Sequence, residues 1–358
     1  MTTVLYIVMA LVALLIMITI HEFGHYIAGK LLSFKIQEFS IGFGPVLYKK
    51  VKKNGEIFYI KAIPLGGYCA FGEDDTDEAT QKDPTAFNNQ APWKRLIVLS
   101  AGVIFNFISA ILFSVILLLV VGYNYTLNVK EFATSDDNNP AFHQTLEKGD
   151  KIMGIEGEKF TIIKSHTSLL TKYRDEGTVD VLILRDGEEK TIQVLLHEYT
   201  YEDADGNDQT VYGMGIVNSQ MEYVKLNFFE ALGKAFIFCC ELAWMVLVIL
   251  WQLITGQIAI TKMGGTVATI AVMADVMQQS LLNLLLLFPL ISVNLAIFNA
   301  LPIPALDGAR MVFVGIEWAR GKPVNRNLEA KIHTWGLIVL FGLVVVFDLI
   351  YMFVNVFN

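Results

Sequence analysis

The sequence contains few charged residues and few cysteines. Asp, Glu, Lys and Arg make up 17% of its 358 residues, whereas about 25% is usual in soluble proteins. The formal net charge is −8, and no basic stripe offsets it, which argues against a nucleic-acid partner. The three cysteines, Cys69, Cys239 and Cys240, have neither metal-ligand spacing nor the pattern of a disulfide framework.

The residues that replace the missing charges are apolar and form long runs. Four runs are long enough for helices that cross a hydrocarbon core about 30 Å thick, which takes roughly 20 helical residues. They cover residues 4–28, 95–123, 281–306 and 335–355. The sequence therefore predicts a multi-pass α-helical membrane protein with about four transmembrane helices.

The loops indicate how these helices are oriented. Residues 30–95 carry ten Lys and Arg, and the short stretch 308–334 carries five more. Under the positive-inside rule both segments face the cytoplasm. The N-terminus, the segment 125–220 and the C-terminus are then predicted to lie outside.

Two polar segments are predicted to form β-structure. Alternating residues on both sides of Asn54-Gly55 predict a β-hairpin over about 36–68. Residues 125–220 form the one substantial soluble module, with strand pairs around Gly157 and around Asp186-Gly187. A small α+β domain is expected there.

The end of the first apolar run carries ionisable residues, in the sequence HEFGH. No charged side chain precedes His21, and ionisable groups at membrane depth are costly and usually functional. His21 and His25 are four residues apart, so a helix presents both imidazoles on one face. Two such nitrogens can bind one Zn²⁺, and Glu22 between them can reach a water on the metal.

A third metal ligand is expected outside the HEFGH motif, because catalytic zinc usually has three protein ligands. Asp307 is the best match, since it ends an apolar helix that Pro302 and Pro304 must break. Broken helices at membrane depth are tolerated where they line an enclosed site. The alternative is a solvated loop carboxylate. The remaining histidines, which are His143, His166, His197 and His333, are expected to be solvated.

Several motifs together resemble the site-two protease family of intramembrane zinc metalloproteases, of the bacterial RseP type. They are HEFGH, NALPIPALDG, IGFGP, IPLGGYCAFGED and AFNNQAPWKRLIVLSAGVIFNFISA, and they span almost the whole chain. The module 125–220 looks like a single PDZ domain, whereas many relatives carry two in tandem. A gating role that needs a tandem pair is therefore not implied.

The resemblance implies roles for individual residues. His21, His25 and Asp307 match the ligands of one Zn²⁺, and Glu22 matches the general base. Asn294, Asn299 and Pro302 match residues that engage an unwound substrate. The IGFGP stretch looks like the membrane re-entrant β-hairpin of the family, which makes Ile41, Gly42, Phe43 and Gly44 candidate substrate contacts, with an unpaired strand edge around Ile41–Pro45.

The expected domain organisation follows. Residues 1–124 and 281–358 form the membrane protease core, 125–220 an extracytoplasmic PDZ-like domain, and 221–280 a connecting region on or re-entering the membrane. The first helix runs inward and places His21 about 26 Å from Val4, at about 1.5 Å per residue. The helix before Asp307 must also run inward. The apolar stretch 235–254 is therefore predicted not to span.

The predicted function is regulated intramembrane proteolysis in a bacterial inner membrane, with the active site near the cytoplasmic side. Substrates implied by the resemblance are single-span membrane proteins, such as anti-sigma factors already cut outside, or signal-peptide remnants. The PDZ-like domain is a candidate peptide binder. Two alternatives remain open from the residues alone: a metal-dependent transporter, which needs no base at Glu22, and a receptor with structural zinc.

Overall fold

The structure is a computed structural model that describes residues 2–72, 83–132, 145–202, 208–258, 264–279 and 283–355. The first two residues of the predicted helix 281–306 lie outside these ranges. The chain divides into two compact units, residues 1–114 with 239–358, and residues 115–238. We call them the membrane unit and the β-rich unit, and each is described by itself.

The described residues contain eight α-helices. They are α1 (Thr2–Leu31), α2 (Pro92–Val120), α3 (His166–Lys172), α4 (Phe228–Ile254), α5 (Thr266–Gln279), α6 (Asn283–Ala300), α7 (Asp307–Arg320) and α8 (Arg326–Asn355). Five of these, α1, α2, α4, α6 and α8, are long and apolar enough to cross a membrane. The expectation of a helical multi-pass membrane protein is thus met at this level.

The third predicted helix is shorter than the sequence suggested. Helix α6 ends at Ala300, and the chain is irregular until α7 begins at Asp307. The reason is that Pro302 and Pro304 lack a backbone N–H and cannot continue the helical hydrogen-bond pattern. The statement that Asp307 ends an apolar helix is therefore wrong, because Asp307 begins the next one. Helix α8 also starts earlier than predicted, at Arg326.

The connecting region 221–280 contains two helices, of which α5 was not predicted. With 14 residues, α5 is only about 21 Å long, too short to cross a membrane alone. Met273 and Met277 of α5 pack in one buried cluster with Ala10, Ala13 and Met17 of α1. Helix α5 therefore lies beside the middle of α1.

The predicted hairpin is present as β1 (Ile36–Val51) and β2 (Ile57–Phe71). The second half of β1 pairs with the first half of β2, as Val51 lies opposite Ile57. The first half of β1 pairs with the end of β2, from Ile36 opposite Phe71 to Ile41 opposite Gly67, and also lies beside the start of β2. Both strands thus fold back to form a small four-segment sheet.

A buried carboxylate attaches this sheet to α1. The side chain of Glu56, in the turn between β1 and β2, is fully buried and accepts hydrogen bonds from Lys30 and Lys52. Lys52 also donates to the hydroxyl of Tyr26, at 2.8 Å. Because Tyr26 and Lys30 belong to the end of α1, the turn is held next to the helix that carries the HEFGH motif.

The β-rich unit contains the other eight strands of the described residues. They are β3 (Tyr125–Phe132), β4 (Lys151–Ile155), β5 (Glu158–Lys159), β6 (Thr178–Arg185), β7 (Glu188–Leu195), β8 (His197–Glu202), β9 (Asp208–Gly213) and β10 (Ile216–Tyr223). The main sheet has the order β10-β3-β4-β6-β7, with β5 on β4, while β8 and β9 pair separately. Apolar residues of this sheet and Leu169 and Leu170 of α3 form its core. An α+β module is therefore observed where one was predicted.

Candidate metal centre

The two histidines of the HEFGH motif lie near the C-terminal end of α1 and face each other. Both side chains are buried. Their ring centroids are 4.8 Å apart at an angle of 85°, and their Nε2 atoms are 3.2 Å apart. The spacing of four residues on a helix therefore brings the two nitrogens together, as the sequence predicted.

Asp307 completes the cluster from the far end of the chain. Its Oδ2 lies 3.0 Å from His21 Nε2 and 3.1 Å from His25 Nε2. The tight fold of residues 301–307 depends on Gly308, since a Cβ there would lie 2.2 Å from the carbonyl oxygen of Leu301. The tight turn of the chain after α6 thus places the Asp307 carboxylate within 3.0–3.1 Å of both imidazole nitrogens.

Helix α2 forms the wall behind the two imidazoles, through three residues spaced four apart. Val98 accepts a hydrogen bond from His25 Nδ1 at 2.8 Å through its carbonyl oxygen. Gly102 leaves room for the rings, because a Cβ there would lie 2.5 Å from His25 Nε2. The side-chain amide of Asn106 lies 3.1 Å from His21 Nδ1 and is fully buried.

The chemistry of this cluster fits a zinc ion. Its donors are two imidazole nitrogens and one carboxylate oxygen, all within 4.8 Å of one another. Ligands at about 2.0–2.1 Å from zinc in a tetrahedral arrangement are about 3.3 Å apart, close to the 3.0–3.2 Å separations found here. The Nδ1–H of His25 donates to the carbonyl of Val98, which leaves the lone pair of Nε2 available for a metal.

Glu22 lies between the two histidines in sequence and points toward the sheet. Its side chain is partly buried, and its carboxylate accepts a hydrogen bond from the backbone N–H of Cys69 in β2. A Cβ on Gly67 would come within 3.6 Å of Glu22 Cγ, so the end of β2 packs directly against this side chain. A carboxylate next to a metal site and held by a strand edge can act as a proton acceptor.

The candidate substrate residues of α6 and the following loop lie in the same unit. Asn299 donates from its side chain to the carbonyl oxygen of Leu295 at 2.9 Å, one turn earlier in α6. Asn294 is partly buried in the same helix, one turn and a half before Asn299, and Pro302 is exposed in the loop that leads to Asp307. All three are thus on the segment that delivers Asp307.

The stretch Ile41–Gly44 is not the free strand edge that the sequence suggested. Ile41 pairs with both Gly67 and Ile60, so it lies in the interior of the sheet, and Phe43 lies opposite Ile63. Gly42 and Gly44 have φ angles of +83° and +80°, which other residues rarely adopt, and they lie in β1 where its register with β2 shifts. Among the described residues, the edge nearest Glu22 is instead the end of β2, residues 67–71, which pairs only with the first half of β1.

Sequence reasoning missed several residues that surround the ligands. Val98 and Cys69 act through backbone groups, which no side-chain motif reveals. Asn106 was detectable, because it is a polar residue in the middle of the apolar run of α2. His333 was expected to be solvated in a loop, but it lies in α8 and its Nδ1 accepts a hydrogen bond from the backbone N–H of Ala305 at 3.1 Å.

A cluster of two histidines and an aspartate beside a glutamate, in a bundle of apolar helices, defines the class of membrane-embedded metallohydrolases. The comparison with known families agrees with this class and makes it specific. Residues 9–343 match the model of peptidase family M50, and the chain belongs to that family. It is a zinc metalloendopeptidase of the site-two protease type, and its cofactor is Zn²⁺.

Similar bacterial proteins cover almost the whole chain. A zinc metalloprotease of Bacillus licheniformis, RasP, is 27% identical over 390 residues, covering 87% of this chain and 90% of the relative. A protein of Fusobacterium nucleatum, provisionally named as a zinc metalloprotease, is 27% identical over 334 residues, covering 92% and 94%. One of Nostoc, named in the same way, is 29% identical over 346 residues, covering 92% and 91%. Because the family is one of peptidases, the transporter and receptor alternatives are excluded.

Proposed function

We propose that His21, His25 and Asp307 hold the zinc ion and that Glu22 is the general base of an intramembrane protease. The observation that carries this proposal is the meeting of three donor atoms from opposite ends of the chain. The histidines and Asp307 are 282 and 286 residues apart in sequence. Ionisable groups at the end of an apolar helix are costly and are not needed for folding. Their clustering there therefore indicates a function.

The proposed reaction is hydrolysis of a peptide bond. A zinc ion held by His21, His25 and Asp307 would supply Lewis acidity, lowering the pKa of water to about 7 and polarising the scissile carbonyl. Glu22 accepts a proton from the attacking water and transfers it to the leaving amine nitrogen, so that one water is consumed and an acid and an amine are released. The N–H of Cys69 holds the Glu22 carboxylate in place during both transfers.

The substrates we propose are membrane proteins with a single transmembrane helix, including anti-sigma factors already cut outside and signal-peptide remnants. A helical substrate must unwind, because its carbonyls are otherwise engaged in hydrogen bonds. The edge at residues 67–71 lies next to Glu22 and offers backbone groups to an extended strand. Asn294, Asn299 and Pro302 would contact the unwound segment, and Phe43, 43% exposed, its side chains.

We also propose how the protein is placed in the bacterial inner membrane. The basic segments 30–95 and 308–334 face the cytoplasm, which puts the zinc site near that side. The sheet of β1 and β2 then re-enters the membrane from the cytoplasmic side, since Phe43, Val46 and Leu47 are exposed apolar residues. Residues 125–220 are an extracytoplasmic PDZ-like domain that binds a peptide.

The test of this function replaces Glu22 with Gln, which keeps the size of the side chain and removes its basicity. The full-length protein is co-expressed with tagged single-span substrates, and cleavage and zinc content are both measured. Cleavage should fall by at least the roughly 10²–10⁴-fold typical of losing a general base. Zinc content should stay near that of the wild type, and uncut substrate should accumulate in complex with the variant.

The matched control is Asp307→Ala, which removes a proposed ligand and should reduce both zinc content and cleavage. If Glu22→Gln cleaves at nearly the wild-type rate with zinc in place, the proposed mechanism is wrong. If Asp307→Ala keeps full zinc and full activity, Asp307 does not belong to the site.

A further inference from the structure

Asn106 is the one polar side chain of the α2 wall that touches a proposed ligand. It lies in an apolar helix and has no exposed surface. Burying its polar amide costs free energy unless the amide is hydrogen-bonded. The α2 wall presents a residue at every fourth position. Val98 faces His25, Gly102 faces both imidazole rings, and Asn106 faces His21. The two histidines therefore receive different partners at Nδ1, a backbone carbonyl for His25 and a side-chain amide for His21.

Metal binding by His21 determines whether the Asn106 amide must donate or accept a hydrogen bond. A histidine that binds metal through Nε2 carries its hydrogen on Nδ1, and this N–H needs an acceptor. The amide nitrogen of Asn106 now faces His21, while its Oδ1 is buried without a partner. Oxygen and nitrogen of an amide exchange places by a half-turn of the side chain. Only with Oδ1 toward His21 does the Nε2 lone pair point at the metal.

We propose that Asn106 is a positioning residue for the zinc site, whose side-chain oxygen accepts the Nδ1–H of His21 and thereby presents Nε2 to the ion. This rests on the proposed function, in which His21 is a ligand. A neutral amide is suited to the task because it accepts a hydrogen bond without adding a second buried carboxylate next to Asp307. The role parallels that of the Val98 carbonyl for His25.

The experiment measures zinc affinity of the purified full-length protein by competition with a chelator. Asn106→Leu removes the acceptor at similar size and should weaken zinc binding by the roughly 10–100-fold typical of losing such a partner. Asn106→Asp can only accept, so it should bind zinc within about tenfold of the wild type. Ser114→Ala is the control, because Ser114 is also buried in α2 but contacts Cys239 rather than a ligand.

Together, Asn106→Asp and Asn106→Leu distinguish a hydrogen-bond acceptor role from a donor role or a purely space-filling role. If Asn106→Leu binds zinc as tightly as the wild type, the proposal fails. If Asn106→Asp loses zinc as severely as Asn106→Leu, the amide acts as a donor or only fills space, and the proposal also fails. Thermal unfolding without zinc checks the fold, and Asn106→Ala replaces the leucine variant if packing is disturbed.

A further variant keeps this inference distinct from the proposed function. His21→Ala should abolish tight zinc binding. If it does not, the ligand assignment is wrong, and the role of Asn106 fails with it. If His21→Ala loses zinc while Asn106→Leu keeps it, the ligand assignment stands and only the positioning role is refuted.

Discussion

His21 and His25 show how much a local rule can determine at the scale of single residues. Four residues apart on one helix, they must present their imidazoles together, and their Nε2 atoms are 3.2 Å apart. No such rule connects Asp307 to them, because it is 282 residues from the nearer one. That contact depends on how α7 is placed, and the sequence suggested it only through the proline-broken helix and the resemblance.

A second residue-scale feature is the ionised carboxylate of Glu158 in the β-rich unit. It accepts hydrogen bonds from Lys164 at 2.7 Å, from Lys172, and from the Tyr173 hydroxyl at 2.9 Å. These partners lower the pKa of Glu158 to about 2, from an ordinary value of about 4.3. Because the folded state has the lower pKa, the stabilisation is present above about pH 4.3 and is lost as the pH falls toward 2.

Replacing Glu158 with Gln should therefore matter at neutral pH and cease to matter in acid. Hydrogen exchange in strands β4 and β6, corrected for intrinsic rates, reports the stability of this unit. We expect faster exchange in Glu158→Gln than in the wild type at pH 7, with the difference shrinking from pH 4 to pH 3. Glu189→Gln, at an exposed pair with Lys159, should change little at any pH. A difference that is equal at pH 7 and pH 3 would contradict this assignment.

At the scale of elements, α5 is one of the helices that the sequence patterns did not reveal. It packs on the middle of α1, and its N-terminus is capped from another helix. Asp348 of α8 accepts hydrogen bonds from the backbone N–H groups of Val267 at 2.9 Å and Ala268 at 3.2 Å. A negative charge at a helix N-terminus is favourable, and here it joins α5 to α8. The contact thereby fixes α5 and α8 to one another.

Replacing Asp348 with Leu should loosen the start of α5. Loss of an N-cap costs about 1 kcal/mol, which corresponds to roughly fivefold faster exchange of the capped amides. Hydrogen exchange of residues 266–270 measures this directly, and Asp348→Asn should preserve much of the protection because its amide oxygen can still accept. Leu349→Ala, at an exposed neighbouring position, is the control. Unchanged exchange in Asp348→Leu would mean that the cap does not hold α5.

At the scale of the whole molecule, five described helices are long enough to span a membrane, whereas four spans were predicted. In the proposed orientation, α2 runs outward and α6 must run inward to deliver Asp307. The number of crossings between them is therefore even. Either α4 does not cross, as predicted, or it crosses and the chain containing α5 returns. The position of α5 beside Ala13 and Met17 favours a connecting region that enters the membrane rather than lying on its surface.

Cysteine labelling of intact cells distinguishes these arrangements, in a protein whose three native cysteines have been replaced. Gln257→Cys lies just after α4 and is exposed. We predict that it is labelled from outside, like the reference Glu188→Cys. Lys322→Cys should be labelled only after permeabilisation, because its basic segment is proposed to face the cytoplasm. Labelling of Gln257→Cys only after permeabilisation would show that α4 spans and would overturn the four-span arrangement.

The sequence by itself determined the features that depend on neighbouring residues. Apolar runs of sufficient length fix the membrane class, the spacing of His21 and His25 fixes their common face, and Asn54-Gly55 and Asp186-Gly187 fix two strand pairs. The tertiary structure alone decided which distant groups meet: Asp307 with the imidazoles, Asn106 with His21, and the Cys69 N–H with Glu22. The physical reason is that periodicity along a chain encodes which way a side chain faces. What it meets there depends on how separate elements pack, and in apolar helices that face lipid and protein alike, the pattern of hydrophobicity carries little information about that packing.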